Sequence, residues 1–215
     1  MPAPNELRRA LLTDTAIALL AEAGTHGLTH RAVERRAGLP DGTASNYFRS
    51  REALLVAAAE RIGELHRVDM DAAAAAWSAG GDERPVDRPS HRDRRPVAPS
   101  TEAQTVELIT ASLLDAATRN RARYLAVFEL RMESLRRPAL AEALAAVVTT
   151  SFRFTAGHHA ALGLDIPPER IPLLITLYGG VLFTLVTEPS GEIDEPAVRA
   201  LVDAFVHGAL DVGRS

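Results

Sequence analysis

Side chains suited to nucleic-acid contact are concentrated between residues 29 and 51. Five arginines and two acids give this segment a local charge of +3 before His30 is counted. Arginine and hydroxyl groups bind phosphate, and the amide of asparagine can pair with the edge of adenine. This pattern predicts a contact with DNA. The hydroxyl and amide groups of the segment include those of Thr29, Thr43, Ser45, Asn46 and Tyr47.

The helices predicted around this segment have the dimensions of a helix-turn-helix unit. A first helix is expected near residues 5–23, a second begins after Thr29 and ends at Gly38, and a third spans about 42–48. A short helix held at a steep angle on another can insert its N-terminal side chains into a major groove. The predicted N-caps of the first four helices are, in chain order, Asn5, Thr29, Asp41 and Ser50.

Apolar residues recur at helical spacing almost everywhere, which predicts an all-α protein of about nine helices. The fourth helix is expected to run to about Trp77. Prolines, glycines and charges then predict a mobile loop at residues 78–100. Five more helices are expected near residues 101–118, 120–136, 138–162, 168–188 and 194–213.

Composition limits the class of protein. The 215 residues are 47% hydrophobic, which is enough for a substantial core. The absence of cysteine excludes disulfides and thiolate zinc sites and predicts a reducing, cytoplasmic compartment. The most apolar stretch, Leu173 to Val186, has 14 residues, so we expect no membrane association. The net charge of −4 divides into +1 for residues 1–67 and −5 for the rest, which favours an N-terminal DNA contact.

The segment from Gly27 to Leu55 resembles the DNA-binding signature of the TetR family of bacterial transcriptional regulators. Its sequence is GLTHRAVERRAGLPDGTASNYFRSREALL. The resemblance covers about the first 60 residues, and the remainder is similar in architecture only. It implies an N-terminal three-helix helix-turn-helix domain at residues 1–55 and a larger helical-bundle domain for effector binding and dimerisation at residues 56–215.

The resemblance also implies roles for individual residues. The start of the second helix meets DNA in the family, which implies that His30 lies near a phosphate and that Arg31 reaches a base edge. Thr43 and Arg51 match phosphate-binding positions, and Tyr47 matches an aromatic position that touches the DNA backbone or a thymine methyl. The DNA-binding set is Thr29, His30, Arg31, Thr43, Ser45, Asn46, Tyr47 and Arg51.

Three positions depart from the family pattern. Pro40, Ala44 and Ser45 stand where a capping serine, a leucine and a phosphate-binding tyrosine are common. Asn46 is the residue best suited to direct readout, because its amide can pair bidentately with adenine. Two interpretations of Tyr47 stay open, a DNA contact or packing on the small core with the hydroxyl in water.

A single helix-turn-helix makes few contacts, so we expect a homodimer on a two-fold-symmetric, double-stranded DNA operator. The last two helices are apolar enough to form the interface, and the alternative is that both are ordinary core helices. The resemblance implies that the middle helices enclose a pocket for a small organic effector. Its candidate lining residues are Tyr124, Phe128, Met132, Phe152, His159 and Tyr178.

Metal and enzyme chemistry are not expected. Adjacent residues such as His158 and His159 point about 100° apart on a helix, and no cysteine or third histidine lies nearby. The sequence has no glycine-rich phosphate loop, HExxH motif or nucleophile elbow. We therefore predict a repressor released by its effector, without catalytic residues or cofactor. The alternatives are an effector-independent DNA-binding protein without a cavity and an all-α small-molecule enzyme.

Overall fold

The computed structural model describes residues 4–80, 100–161, 163–164, 166–188 and 193–211. These residues form nine α-helices and one short 3-10 turn, with no β-strand among them, so the predicted all-α class is confirmed. The helices are α1 (Pro4–Gly27), α2 (His30–Ala37), α3 (Thr43–Tyr47), α4 (Arg51–Gly80), α5 (Thr101–Ala117), α6 (Arg121–Ser134), α7 (Pro138–Ala161), α8 (Ile171–Thr187) and α9 (Glu195–Asp211).

The turn between α1 and α2 is fixed by the local interactions expected from the sequence. Thr29 is the N-cap of α2, and its Oγ1 accepts a hydrogen bond of 3.1 Å from the N–H of Ala32. Leu28 and Val33, on either side of this cap, are both fully buried, as a hydrophobic staple requires. Gly38 ends α2 with a φ of 67°, a left-handed conformation that costs a glycine little.

Two of the predicted caps are wrong. Because α1 begins at Pro4, Asn5 lies inside its first turn. Gly42 is the N-cap of α3, so Asp41 does not have the predicted role. The first helix is also longer than predicted, because helical structure resumes after a break at Gly24, where φ is 63°.

Two apolar clusters hold the helices together. The first joins α1–α4 to parts of α6 and α7, and the second joins α5, α8 and α9 to the end of α7 and the turn that follows it. Each fully buried leucine contributes roughly 2 kcal/mol to stability. α6 packs on α1 and α4 and also contacts α5, α7 and α8, so it belongs to both halves of the molecule. Fully buried leucines and valines of the two clusters include Leu12, Leu20, Leu54, Leu130, Leu113, Val186 and Val202.

The helical run from Pro168 to Thr187 is longer than the 14-residue apolar stretch identified in the sequence. It has 20 residues and a mean hydropathy of 1.6, so it could cross a membrane by length and composition alone. In the structure α8 packs on α5, α6 and α9. Only 22% of the apolar window is buried within one chain, so much of this helix lacks cover in the monomer.

α4 extends to Gly80, three residues beyond the expected end at Trp77. The first residues of the predicted loop at 78–100 are therefore helical. Residues 81–99, which form nearly all of that loop, lie outside the described part of the chain.

Candidate nucleic-acid interface and cavity

A buried carboxylate fixes the angle between α2 and α3. Glu34, on α2, is only 1% exposed, and its Oε1 accepts a hydrogen bond of 2.7 Å from the N–H of Ala44 on α3. The first N–H groups of a helix have no partner within it, and their partial positive charge favours an anion. The sequence pattern did not single out Glu34, since an acid among arginines is usually a surface residue. Here it holds the third helix against the second.

Two residues predicted to contact DNA also make contacts within the protein. Nε2 of His30 donates a hydrogen bond of 2.7 Å to the carbonyl of Phe48, which joins the start of α2 to the end of α3. The hydroxyl of Tyr47 donates to Oδ1 of Asn5 at 3.1 Å, and its ring is partly buried against the first cluster. His30 and Tyr47 therefore hold α3 between α1 and α2.

The outer surface of this unit presents polar side chains to solvent. The side chain of Arg31 is 87% exposed, and its nearest acid, Asp41, is 3.9 Å away and 85% exposed. Ser45 and Asn46 are exposed on the short helix α3. Thr43 is half-buried, and its hydroxyl donates a hydrogen bond of 2.6 Å to the carbonyl of Pro40.

Arg51 is occupied by contacts within the protein. Its Nε donates to the carbonyl of Leu28 at 3.0 Å, and its Nη2 donates to the carbonyl of Thr25. Its Nη1 lies 3.9 Å from Oε1 of Glu133, near the end of α6. The phosphate contact implied for Arg51 competes with these three interactions, so we place Arg51 among the residues that position α2.

α6 is joined to the helix-turn-helix unit of α1–α3 through a second carboxylate. The break in α1 at Gly24 leaves the N–H of Thr25 outside the helix ladder, and this N–H donates to Oε2 of Glu129 at 3.1 Å. One turn further along α6, Glu133 accepts a hydrogen bond of 2.5 Å from Arg137. That bond, together with the charges of Arg136 and Arg51, holds the pKa of Glu133 below its ordinary value of 4.5.

A cavity of about 460 Å³ lies between α4, α5, α6, α7 and α8. Three of the predicted effector residues, Tyr124, His159 and Tyr178, line it. The structure does not bring Phe128 or Met132 into the wall. On a helix with about 100° per residue, Phe128 is turned from Tyr124 toward α8, where it packs edge to face on Phe183 with ring centres 4.9 Å apart.

The other two predicted residues contribute nothing to the described wall. Met132 is 60% exposed, because it lies a further turn along α6 and faces solvent. The side chain of Phe152 lies outside the described residues.

Four polar residues form one side of the cavity: Tyr124 and Tyr178, which the sequence predicted, and Ser112 and His66, which it did not single out. Oγ of Ser112 and the hydroxyl of Tyr178 are 2.9 Å apart, and the hydroxyl of Tyr124 lies 3.5 Å from Nδ1 of His66. Burial raises the pKa values of Tyr124 and Tyr178 and lowers the pKa of His66, so all three are neutral near pH 7. The four residues come from α4, α5, α6 and α8, so no spacing within one helix could have revealed that they meet.

Within the described ranges, no three histidine, aspartate or glutamate side chains lie close enough together to hold a metal ion. The acids of the cavity wall interact instead with nitrogen donors. Asp69 pairs with Arg123, and Oδ2 of Asp115 accepts a hydrogen bond of 2.7 Å from the amide of Asn120.

Comparison with solved structures shows that the fold is shared across the whole chain. A protein assigned as a TetR-family transcriptional regulator from Mesorhizobium loti is 14% identical, with a TM-score of 0.73 and 98% of each chain covered. A TetR-family member from Streptomyces coelicolor is 26% identical, with a TM-score of 0.62 and coverage of 92% of this chain and 97% of the other. The multidrug-binding protein EbrR, in its complex with ethidium, is 24% identical, with a TM-score of 0.61 and coverage of 95% and 99%.

Family models match both halves of the chain, whereas no curated protein sequence matches it. The model described as bacterial regulatory proteins, tetR family, matches residues 12–58, which include α2 and α3. The model described as tetracyclin repressor-like, C-terminal domain, matches residues 100–212, more than half of the chain. The chain therefore belongs to the TetR family of bacterial transcriptional regulators, with an N-terminal helix-turn-helix DNA-binding domain.

Proposed function

We propose that this regulator is a cytoplasmic homodimeric repressor that binds a two-fold-symmetric operator and is released from it by a small organic effector. Residues 1–55 bind DNA in this proposal, and residues 56–215 bind the effector and the second subunit. The observation that carries it is the arrangement of the helix-turn-helix unit. Glu34 and His30 make contacts within the unit, while Arg31, Ser45 and Asn46 are all exposed to solvent.

The residues of this surface have two different roles in DNA recognition. Arg31 and Asn46 carry the side chains that read guanine and adenine edges bidentately, so they determine sequence preference. Thr29, Thr43, Ser45 and Tyr47 face the phosphate backbone and set the register on the duplex. His30 and Arg51 support this surface through their bonds to backbone carbonyls.

The dimer forms through α8 and α9. Phe183 on α8 is 50% exposed and Leu201 on α9 is 54% exposed, and single chains rarely leave such side chains uncovered along two neighbouring helices. A second copy of the same surface related by a two-fold axis would cover both. To read successive major grooves, the two recognition helices of the dimer must lie about 34 Å apart.

The cavity is the effector site. Its volume of about 460 Å³ is within the range of small-molecule sites. The fold relative EbrR has been solved with imidazole and with ethidium, which supports an organic ligand here. Tyr124 and Arg131 reach the cavity from α6, and Glu129 on the same helix holds the DNA-binding unit. A cavity of this size favours effector control over the effector-independent alternative, which requires a filled core.

A mobility-shift titration against the DNA that flanks the gene tests the proposal. We expect specific binding that weakens steeply with salt, because phosphate contacts release counterions. Arg31→Ala or Asn46→Ala should change the preference among duplexes, while Ser45→Ala should weaken all duplexes alike. Binding that ignores both sequence and salt would refute the assignment. So would Arg31 and Asn46 variants that remain folded and keep the parent's preference.

A further inference from the structure

The carboxylates of the cavity wall already interact with nitrogen donors. The carboxylate of Asp69 pairs with Arg123, and that of Asp115 accepts a bond from Asn120 and lies 3.3 Å from Arg119. Arg131, the remaining cation of the wall, is exposed to solvent, which screens its charge. A charged ligand would lose its hydration on entry and meet no arginine or carboxylate of the described wall that is both unpaired and desolvated.

Three hydroxyl groups of the wall form an uncharged patch together with His66. Ser112 and Tyr178 are within hydrogen-bond distance of each other, and Tyr124 adjoins both Tyr178 and His66. Hydroxyl groups can rotate to donate or to accept, so the patch can bind a ligand hydroxyl or carbonyl. The rest of the wall is mainly apolar and includes Ile62, Leu108, Val127, Leu144, Leu174 and Ile175.

From this wall we infer that the cavity selects an uncharged, mainly apolar organic ligand with one hydrogen-bonding group, a hydroxyl or carbonyl, held by Tyr178, Tyr124 and Ser112. The inference rests on the proposed function only in taking this cavity as the effector site. Ligand affinity and DNA release can be measured separately, so the two can fail independently.

The test compares probes that share one apolar scaffold. The full-length protein is titrated at pH 7 by calorimetry with 4-phenylbutan-1-ol, 4-phenylbutanoate, 4-phenylbutylammonium and butylbenzene. The alcohol should bind at least about tenfold more tightly than the carboxylate or the ammonium ion, because either charge must be desolvated without a partner. A charged probe that binds as tightly as the alcohol would overturn the inference, as would no binding by any probe.

A variant isolates the hydrogen-bonding patch from the shape of the cavity. Tyr178→Phe keeps the ring and removes the hydroxyl. The variant should therefore bind the alcohol about two- to tenfold more weakly and bind butylbenzene with unchanged affinity. If Tyr178 has a purely structural role, the variant should lose affinity for both probes equally, which would count against the inference. If this variant does not fold, Ser112→Ala provides the same comparison on the partner of the Tyr178 hydroxyl.

DNA release is then measured with the same alcohol in a mobility-shift assay. An alcohol that binds the cavity but leaves the operator complex intact contradicts the effector role and leaves the ligand class standing. Release by the ammonium or carboxylate probe at lower concentration than by the alcohol contradicts the ligand class and supports the effector role.

Discussion

The buried hydrogen bond between Glu34 and the N–H of Ala44 makes a strong prediction about the stability of the DNA-binding unit. Glu34→Ala removes the only acceptor shown for that N–H in the described structure and opens a small void beneath α3. Leaving a buried donor unsatisfied costs about 1–3 kcal/mol, and the lost packing adds to it. We therefore expect the free energy of unfolding to fall by about 2–4 kcal/mol.

Glu34→Gln separates the charge of the carboxylate from its geometry. The amide oxygen can still accept the bond from Ala44, but a neutral acceptor gives a weaker bond than a charged one. This variant should therefore lose about 1 kcal/mol, less than Glu34→Ala. Because α3 carries Ser45 and Asn46, loss of its orientation should also weaken operator binding at least about tenfold for Glu34→Ala.

Urea denaturation followed by circular dichroism measures the stability, and a mobility shift measures the affinity of the folded fraction. Glu22→Ala is the matched control, because Glu22 is an exposed glutamate on α1 whose carboxylate pairs with Arg36 at the surface. Its loss of stability should be much smaller. Equal effects of the Glu34 and Glu22 substitutions would refute the structural role of Glu34, as would a Glu34→Ala loss below about 0.5 kcal/mol.

Four further perturbations test other contacts. Gly24→Ala should lower the free energy of unfolding by about 1–2 kcal/mol in urea, because φ is 63° and a Cβ would lie 3.0 Å from Oε2 of Glu129; an unchanged value contradicts the break in α1. Arg51→Lys keeps the charge but not the fork between two carbonyls, so its melting temperature should fall, whereas a phosphate role alone would leave it unchanged. The lowered pKa of Glu133 means that its ionised form stabilises the fold above pH 4.5 and that this contribution is lost as the pH falls further; Glu133→Gln should flatten that part of a pH titration of stability. Leu201→Glu should give a monomer in sedimentation and weaken operator binding, and a dimer of unchanged affinity would exclude α9 from the interface.

Local sequence signals predicted the helices better than the contacts between them. The N-cap at Thr29 and the left-handed Gly38 depend on neighbours within a few residues, and the structure confirms both predictions. Asp41 was expected to cap α3 because its residue type suits an N-cap, but Gly42 occupies that position. Glu34 could not be assigned in this way, because its partner is ten residues away and depends on how α3 folds back.

Local sequence patterns also could not predict which side chains line the cavity. Tyr124 and Phe128 share one side of the predicted helix, and their spacing alone does not say which of them faces the cavity and which faces α8. The direction is fixed by the packing of α6 against α1, which no local pattern encodes. The polar patch of Ser112, Tyr178 and Tyr124 likewise forms only when three helices meet.

The two sides of α6 make different contacts. Tyr124, Val127 and Arg131 line the cavity from one side of the helix, while Glu129 and Glu133 bond to the DNA-binding unit from the other. Only about 7.5 Å of helix separates Tyr124 from Glu129. With the cavity as the proposed effector site, we expect substitutions on the cavity side of α6 to change ligand preference while the contacts of Glu129 and Glu133 stay intact.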